Sequence, residues 1–338
     1  MARKKRNSKV HHSPGRLNLL KDTTAHAFAR RLLAWYEEHA RALPWRENRD
    51  PYRVWLSEIM LQQTRVSAVL EHYRLFLRKF PTVQKLAAAR TASVLAAWSG
   101  LGYYRRARLL HAAAKLVVSE YGGRFPESSE GLRRLPGIGR YTAAAIASIA
   151  YEEPVAVVDG NVERVLGRLA GKRLAGEAIW QAAGALLDPT RPGDFNQALM
   201  ELGATICLPR QPRCLLCPVS EFCTARGQLD ASAAAPRQKK REILCGLARR
   251  DGKVFLVQRK PQESLMPSMW ELPECAAENH AKPLLSLRHS ITVTDYAVRV
   301  VEMPSPEEGS GKWVALSRLG SLPLTGLARK ILRRAEML

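Results

Sequence analysis

The chain has 338 residues, 46% of them apolar, enough for two domains that each bury a core. Its formal charge is +22, from 53 Lys and Arg against 31 Asp and Glu, a balance that favours a polyanionic partner, nucleic acid first. No run of about 18 apolar residues is present, which excludes a membrane-spanning helix, and the basic N-terminus has no apolar stretch behind it to read as a secretory signal.

Residues 1–22 read as a basic, disordered tail: Arg3, Lys4, Lys5, Arg6, Lys9, Arg16 and Lys21 stand there with no acid before Asp22. From 24 to 226 the pattern is helical. Apolar residues recur at three and four in Phe28, Leu32, Leu33 and Tyr36, and again in Trp55, Ile59, Leu61 and Val66. Amphipathic Ala-rich segments follow at 84–98 and 106–119, punctuated by Gly100-Leu101-Gly102 and Leu135-Pro136-Gly137. Residues 227–241 are small, polar and basic and read as a linker. Beyond them, 242–338 read as a small α/β domain. Ile243–Ala248 and Val254–Val257 flank Asp251-Gly252, which predicts a hairpin between those two runs. A further β-type run covers 293–303, and a helix is expected over 324–336.

Three local patterns carry chemistry. Leu135-Pro136-Gly137-Ile138-Gly139-Arg140 leads into an Ala-rich helix; two glycines in a tight turn at a helix start leave backbone N–H groups free for a phosphate. About twenty residues on, Asp159-Gly160-Asn161 precedes Val162-Glu163-Arg164-Val165-Leu166, where Asp159 can cap a helix. Four of the six cysteines, Cys207, Cys214, Cys217 and Cys223, are spaced C-x6-C-x2-C-x5-C. Crowded cysteines in a non-secreted chain point to a metal rather than disulfides, and four thiolates suit either zinc or an iron–sulfur cluster.

Together these patterns resemble the helix-hairpin-helix DNA glycosylases. The stretches Leu43-Pro44-Trp45-Arg46, Pro51 to Thr64 (PYRVWLSEIMLQQT) and Gly100-Leu101-Gly102-Tyr103-Tyr104 are specifically similar to the adenine DNA glycosylases of the MutY type. The resemblance implies a mainly α helix-hairpin-helix core over 23–226 with a 4Fe-4S cluster on the loop 207–223. It also implies a monomer acting on double-stranded DNA that holds adenine opposite 8-oxoguanine or guanine, in a bacterial-type cytoplasm.

The site residues follow from the same resemblance. Glu58, among apolar neighbours Trp55, Leu56, Ile59 and Met60, falls on the general-acid position, a setting of the kind that raises a carboxyl pKa. Asp159 falls on the position of the carboxylate that stabilises the sugar cation, with Asn161 beside it. Tyr141 stands where endonuclease III-like lyases carry a Schiff-base lysine; a phenol forms no imine, so a monofunctional glycosylase is expected. Gly137 and Gly139 fall on the DNA-backbone hairpin, Trp45, Arg46 and Gln197 on the adenine pocket, and Gln63, Thr64, Leu101 and Tyr103 on the segments that enter the duplex. The alternatives are a thymine or uracil mismatch glycosylase, an endonuclease III-like glycosylase-lyase, and a non-catalytic DNA-binding module, which would not need both Glu58 and Asp159.

The C-terminal part resembles a Nudix fold through its hairpin and Met269-Trp270-Glu271-Leu272-Pro273. The segment after Pro273 lacks a glutamate-rich helix, so binding rather than hydrolysis is implied. In the MutY type this domain reads 8-oxoguanine through a Phe-Ser-His triplet. Here Ile291-Thr292-Val293 stands in its place: a hydroxyl is kept at Thr292, while the aromatic wedge and the second imidazole are missing.

Overall fold

The computed structural model describes residues 22–227, 239–275, 282–291, 293–303, 306, 309 and 311–338. The basic tail up to Lys21, most of the linker and Thr292 lie outside the described residues. The helical part runs α1 (Asp22–His39), α2 (Pro51–Leu61), α3 (Val66–Lys79), α4 (Val83–Ala87), α5 (Thr91–Trp98) and α6 (Arg105–Tyr121). It continues as α7 (Ser129–Leu132), α8 (Arg140–Tyr151), α9 (Gly160–Leu169), α10 (Glu177–Leu186) and α11 (Pro192–Thr205). The expected helix over 84–98 is two helices: Ala88 closes α4, and Arg90 is extended at the start of α5. The split lets Leu86 and the Val94-Leu95-Trp98 face all reach the interior, whereas one straight helix would set Leu86 and Leu95 on opposite faces, about 180° apart.

Helix starts follow side-chain chemistry. Asp50 accepts from the Tyr52 N–H at 2.9 Å with Pro51 as first residue of α2, an entry that fixes where Glu58 emerges two turns later. Asp159 does the same for α9.

Chain contacts divide the molecule into two units, Met1–Ala42 with Ala147–Ala231, and Leu43–Ile146 with Ser232–Leu338. In the first, α1, α9, α10 and α11 share one core that includes Phe28, Leu32, Val162, Leu166, Ile179, Phe195 and Leu199. The buried acid Glu201 is held by Arg41 through bonds of 2.6 and 2.8 Å, as a buried charge requires. In the second, Trp55, Tyr73, Phe76, Trp98 and Leu110 fill the space between α2, α3, α5 and α6.

The second unit also holds β1 (Lys239–Leu247), β2 (Arg249–Arg250), β3 (Lys253–Gln258), β4 (Trp270–Glu271), β5 (Glu274–Cys275), β6 (Leu285–Ile291), β7 (Thr294–Glu302) and β8 (Lys312–Ala315), then α12 (Gly326–Arg334). One sheet has the order β5-β1-β7-β6; the other joins β2, β3 and β4, with β8 on β3. The hairpin expectation needs correction. Asp251-Gly252 does turn the chain, with both φ positive (50° and 68°), but it pairs β2 with β3. The run 243–248 belongs mostly to β1, which pairs in parallel with β7 over its whole length, from Lys239 with Thr294 to Leu247 with Glu302. Its apolar end, Leu244 to Leu247, is buried as a central strand, which an exposed hairpin arm would not be. β1 also takes in the last three residues of the expected linker, Lys239 to Arg241. The expected strand over 293–303 is β7, and the expected C-terminal helix is α12.

Candidate active site and cysteine loop

Glu58 sits on the inner face of α2, 7% exposed, with Trp55, Leu56, Ile59 and Met60 buried around it. The hydroxyl of Tyr141, in the first turn of α8, donates to Glu58 Oε2 at 2.7 Å. A second link joins the same helices, from Gln62 Nε2 to the buried Thr142 Oγ1 at 3.3 Å. The turn before α8 exposes Gly137 and Gly139 and buries Ile138 between them. Gly137 has φ +79°, and a Cβ there would lie 2.8 Å from Leu109 Cβ, so only glycine fits.

In the other unit Asp159 is half-buried at the start of α9. Its Oδ1 accepts the N–H groups of Asn161 (2.9 Å) and Val162 (2.7 Å), and its Oδ2 accepts Asn161 Nδ2 at 2.9 Å. Asn161 is oriented in turn by Arg164, whose Nη2 reaches Asn161 Oδ1 at 2.9 Å and Gly203 O at 2.8 Å, with Nε on Cys207 O at 2.7 Å. Burial lowers the pKa of Arg164, with Cys207 and Asp159 opposing that shift. Gln197 is half-buried on α11.

The four cysteines follow α11. Two short 3-10 turns, Cys214–Leu216 and Ser220–Phe222, fold the loop so that all four line one cavity of about 510 Å³. Arg168, 5% exposed, donates to Cys207 Sγ at 3.1 Å and to Leu208 O at 2.7 Å. Burial, reinforced by the other three thiols, pushes Cys217 up to about 11. Among the described residues no three His, Cys, Asp or Glu side chains are gathered as a ready metal-ion site. All four thiols are free and none is paired in a disulfide.

The expected duplex-entering residues occupy two loops of the second unit. Gln63 (φ 54°) and Tyr103 (φ 47°) are exposed and left-handed, a conformation side chains rarely adopt and one that marks stored strain. Leu101 is 5% exposed and faces inward, and Thr64 is half-buried. One guanidinium ties these loops together, and the sequence did not mark it. Arg106 Nη1 donates to the carbonyls of Ile59, Met60 and Gln62 (2.8, 2.9 and 2.5 Å). Its Nη2 reaches Thr64 Oγ1 and the carbonyls of Leu101 and Gly102 (3.0, 3.2 and 3.3 Å). Its face lies on the rings of Trp98 and Tyr103, and burial lowers its pKa to about 10. In the sequence Arg106 is one of three arginines in Arg105-Arg106-Ala107-Arg108 and looks like surface charge. Trp45, in the 3-10 turn Pro44–Arg46, is buried edge-on against Tyr73 at 5.4 Å, and Arg46 is half-buried. The β6–β7 turn carries Ile291, half-buried and paired with Thr294, and an exposed Val293.

Residues 56–176 match the family model described as HhH-GPD superfamily base excision DNA repair protein. A mouse protein called adenine DNA glycosylase is 43% identical over 290 residues, 80% of this chain and 55% of that protein. A human protein of the same name is 48% identical over 219 residues, 60% of this chain and 40% of that protein. One from Buchnera aphidicola subsp. Schizaphis graminum is 36% identical over 228 residues, 65% of this chain and 66% of that protein. The chain thus spans about half the length of the first of these relatives. Among solved structures, a thermostable thymine-DNA glycosylase superposes with a TM-score of 0.57 and 31% identity, over 61% of this chain and 97% of its own. A trapped endonuclease III–DNA intermediate gives 0.54 at 21% identity over the same shares, a likeness of fold.

Proposed function

The chain belongs to the HhH-GPD superfamily of base-excision DNA repair proteins, on its adenine DNA glycosylase branch, and from that premise we propose that it removes adenine from double-stranded DNA in which adenine faces 8-oxoguanine or guanine. The observation that carries the reading is the buried Glu58 with the Tyr141 hydroxyl at 2.7 Å. The bond to be cut is hidden in the base stack, so the nucleotide is flipped out first. Glu58 then gives its proton to the base and makes adenine a leaving group. Asp159, held by its cap and by Asn161, stabilises the oxocarbenium-like sugar, as the paired carboxylates of glycosidases do. Water completes the reaction. Gly137 and Gly139 offer backbone N–H groups to a phosphate.

Because a phenol stands at 141, the product strand stays intact. Duplexes holding adenine opposite 8-oxoguanine, adenine opposite guanine, thymine opposite guanine, or thymine glycol test both points. Excision is expected on the first two, with strand breaks only after alkali and little borohydride-trapped adduct. Thymine release would favour a thymine glycosylase, and efficient trapping would mean that an amine serves as nucleophile.

Cys207, Cys214, Cys217 and Cys223 suit a 4Fe-4S cluster, which needs four thiolates around a space larger than one ion takes; their shared cavity supports it. The cluster would hold the loop together, with Arg210 and Arg213 available to phosphates. Purified protein is expected to be brown with roughly four iron atoms per chain; colourless active protein with one zinc would overturn the cluster and spare the glycosylase.

Residues 242–338 serve as a Nudix-like reader of the opposite base. The mixed sheet with a closing helix supports this, and among the described residues after Pro273 no helix intervenes before β6. The contact is assigned to the β6–β7 turn through Thr292. With Ile291 and Val293 in place of an aromatic and an imidazole, the preference for 8-oxoguanine is weaker than in relatives that carry both. The enzyme acts as a monomer. Among the described residues no helix is long and apolar enough to cross a membrane. The relatives include animals as well as a bacterium, so relatedness does not choose a bacterial compartment.

A further inference from the structure

The loop Ser99–Tyr104 carries Tyr103 and is gripped from two sides. Arg106 holds it to the Gln62–Thr64 loop, as described above. The other grip comes from the C-terminal domain. Ser99 Oγ and Tyr104 Oη both donate to the carbonyl of Leu324, each at 3.0 Å, which uses both lone pairs of that oxygen. Arg329 Nε, on α12, donates to Ser99 Oγ at 2.9 Å. Arg108 Nη2 donates to Pro267 O. Ser99, Tyr104, Leu324 and Thr325 are all nearly or fully buried, so these bonds are closed to water.

We propose that the C-terminal domain has a second task besides reading the opposite base: it props the loop Ser99–Tyr104 in its DNA-entering shape, and thereby sets excision on any adenine mispair. The proposal rests on the glycosylase reading above. The prop is rigid because Leu324 is itself pinned. Trp270 N–H donates to Pro323 O and Trp270 O accepts Thr325 N–H, each at 2.9 Å, bracketing Leu324 between them. Thr325 caps α12 through Ala328 N–H, which fixes where Arg329 projects. The loop is shaped to receive these groups. Gly100 has φ +110°, and a Cβ there would come within 3.0 Å of His72 Nε2 and 4.0 Å of Arg329 Cδ. His72 Nε2 also lies 3.1 Å from Ser99 O. Tyr103, three residues from Gly100, is in the left-handed region, a strain that persists only where the surroundings over-determine it. The same helix reaches the lesion-reading hairpin, since Lys330 Nζ donates to Arg288 O on β6 at 2.7 Å. The loop and the reader are therefore built on one support.

The test uses the full chain with Ser99→Ala, Tyr104→Phe and Arg329→Met, and Ser99→Thr as the variant that keeps the hydroxyl. Hydrogen exchange at residues 99–106 is measured without DNA, and single-turnover excision and duplex affinity with adenine opposite guanine and opposite 8-oxoguanine. The prop predicts faster exchange in 99–106 than in parent protein and unchanged exchange in α2. Excision falls by roughly tenfold for each lost bond, equally on both duplexes, and Ser99→Thr stays near parent. Excision unchanged on adenine opposite guanine, or a loss confined to 8-oxoguanine, overturns the proposal. If the parent releases no adenine from any duplex, the glycosylase reading fails instead, and the exchange measurement alone decides whether the domain props the loop.

Discussion

Glu58→Gln lowers single-turnover release of adenine by about 10²–10⁴-fold, the usual range for losing a general acid. Duplex affinity is expected to stay within a few-fold of the parent. The argument starts from shape. Glutamine keeps the length and planarity of glutamate, so the packing of α2, which buries its own Trp55, Leu56, Ile59 and Met60 beside it, is undisturbed. Tyr141 still finds an oxygen to donate to, because the amide can turn its carbonyl toward the hydroxyl now 2.7 Å from Oε2. What is lost is the proton. Burying an amide N–H₂ where a carboxyl oxygen stood costs about 1–3 kcal/mol if it finds no acceptor, so a modest drop in Tm accompanies the change and is measured alongside. Stopped-time excision assays with enzyme in excess separate the chemical step from product release. Rates near parent would remove Glu58 as the acid and leave its burial as packing alone.

Much of this was legible because the chemistry is local in sequence. The cap at Asp159, the glycine turn at 137–139 and the Asp251-Gly252 turn each need only a few consecutive residues, and each lies where its pattern placed it. The helical character of 24–226 was equally legible from periodicity. What could not be read depends on partners far along the chain. The β1–β7 pairing joins residues more than fifty positions apart, and its apolar run looks the same as a hairpin arm. Arg106 has an unremarkable neighbourhood until the fold brings five carbonyls and a hydroxyl to one guanidinium. Leu101 belongs to the loop that resembles a duplex wedge, yet only Tyr103 and Gln63 are presented outward while Leu101 anchors the loop from within. Similarity to relatives names a loop, and burial decides which of its side chains can touch a ligand.

Asp159→Asn separates the cap that Asp159 forms on α9 from the stabilisation of the sugar cation proposed for it. As a helix cap asparagine is nearly as good as aspartate, whereas alanine would cost about 1 kcal/mol. The two N–H groups on Oδ1, from Asn161 and Val162, can be kept by the amide oxygen. The difficulty lies at Oδ2, which accepts Asn161 Nδ2 at 2.9 Å. An amide at 159 would set two N–H₂ groups face to face, and Asn161 is not free to flip, because its oxygen already accepts Arg164 Nη2 at 2.9 Å. A small loss of Tm is therefore expected from geometry alone. Excision is expected to fall much further, by about 10²–10³-fold, since the charge opposing the sugar cation is gone. Duplex affinity should hold or rise, because a negative group has been removed beside a polyanion. The double variant Asp159→Asn with Asn161→Asp restores the complementary pair with donor and acceptor exchanged, and gives Arg164 a carboxylate to meet. It should recover Tm. Excision should stay low, because the charge has moved off the position proposed to face the sugar. Recovery of excision in the double variant would mean that the loop needs only one carboxylate somewhere, and an unimpaired single variant would leave Asp159 as a helix cap and nothing more.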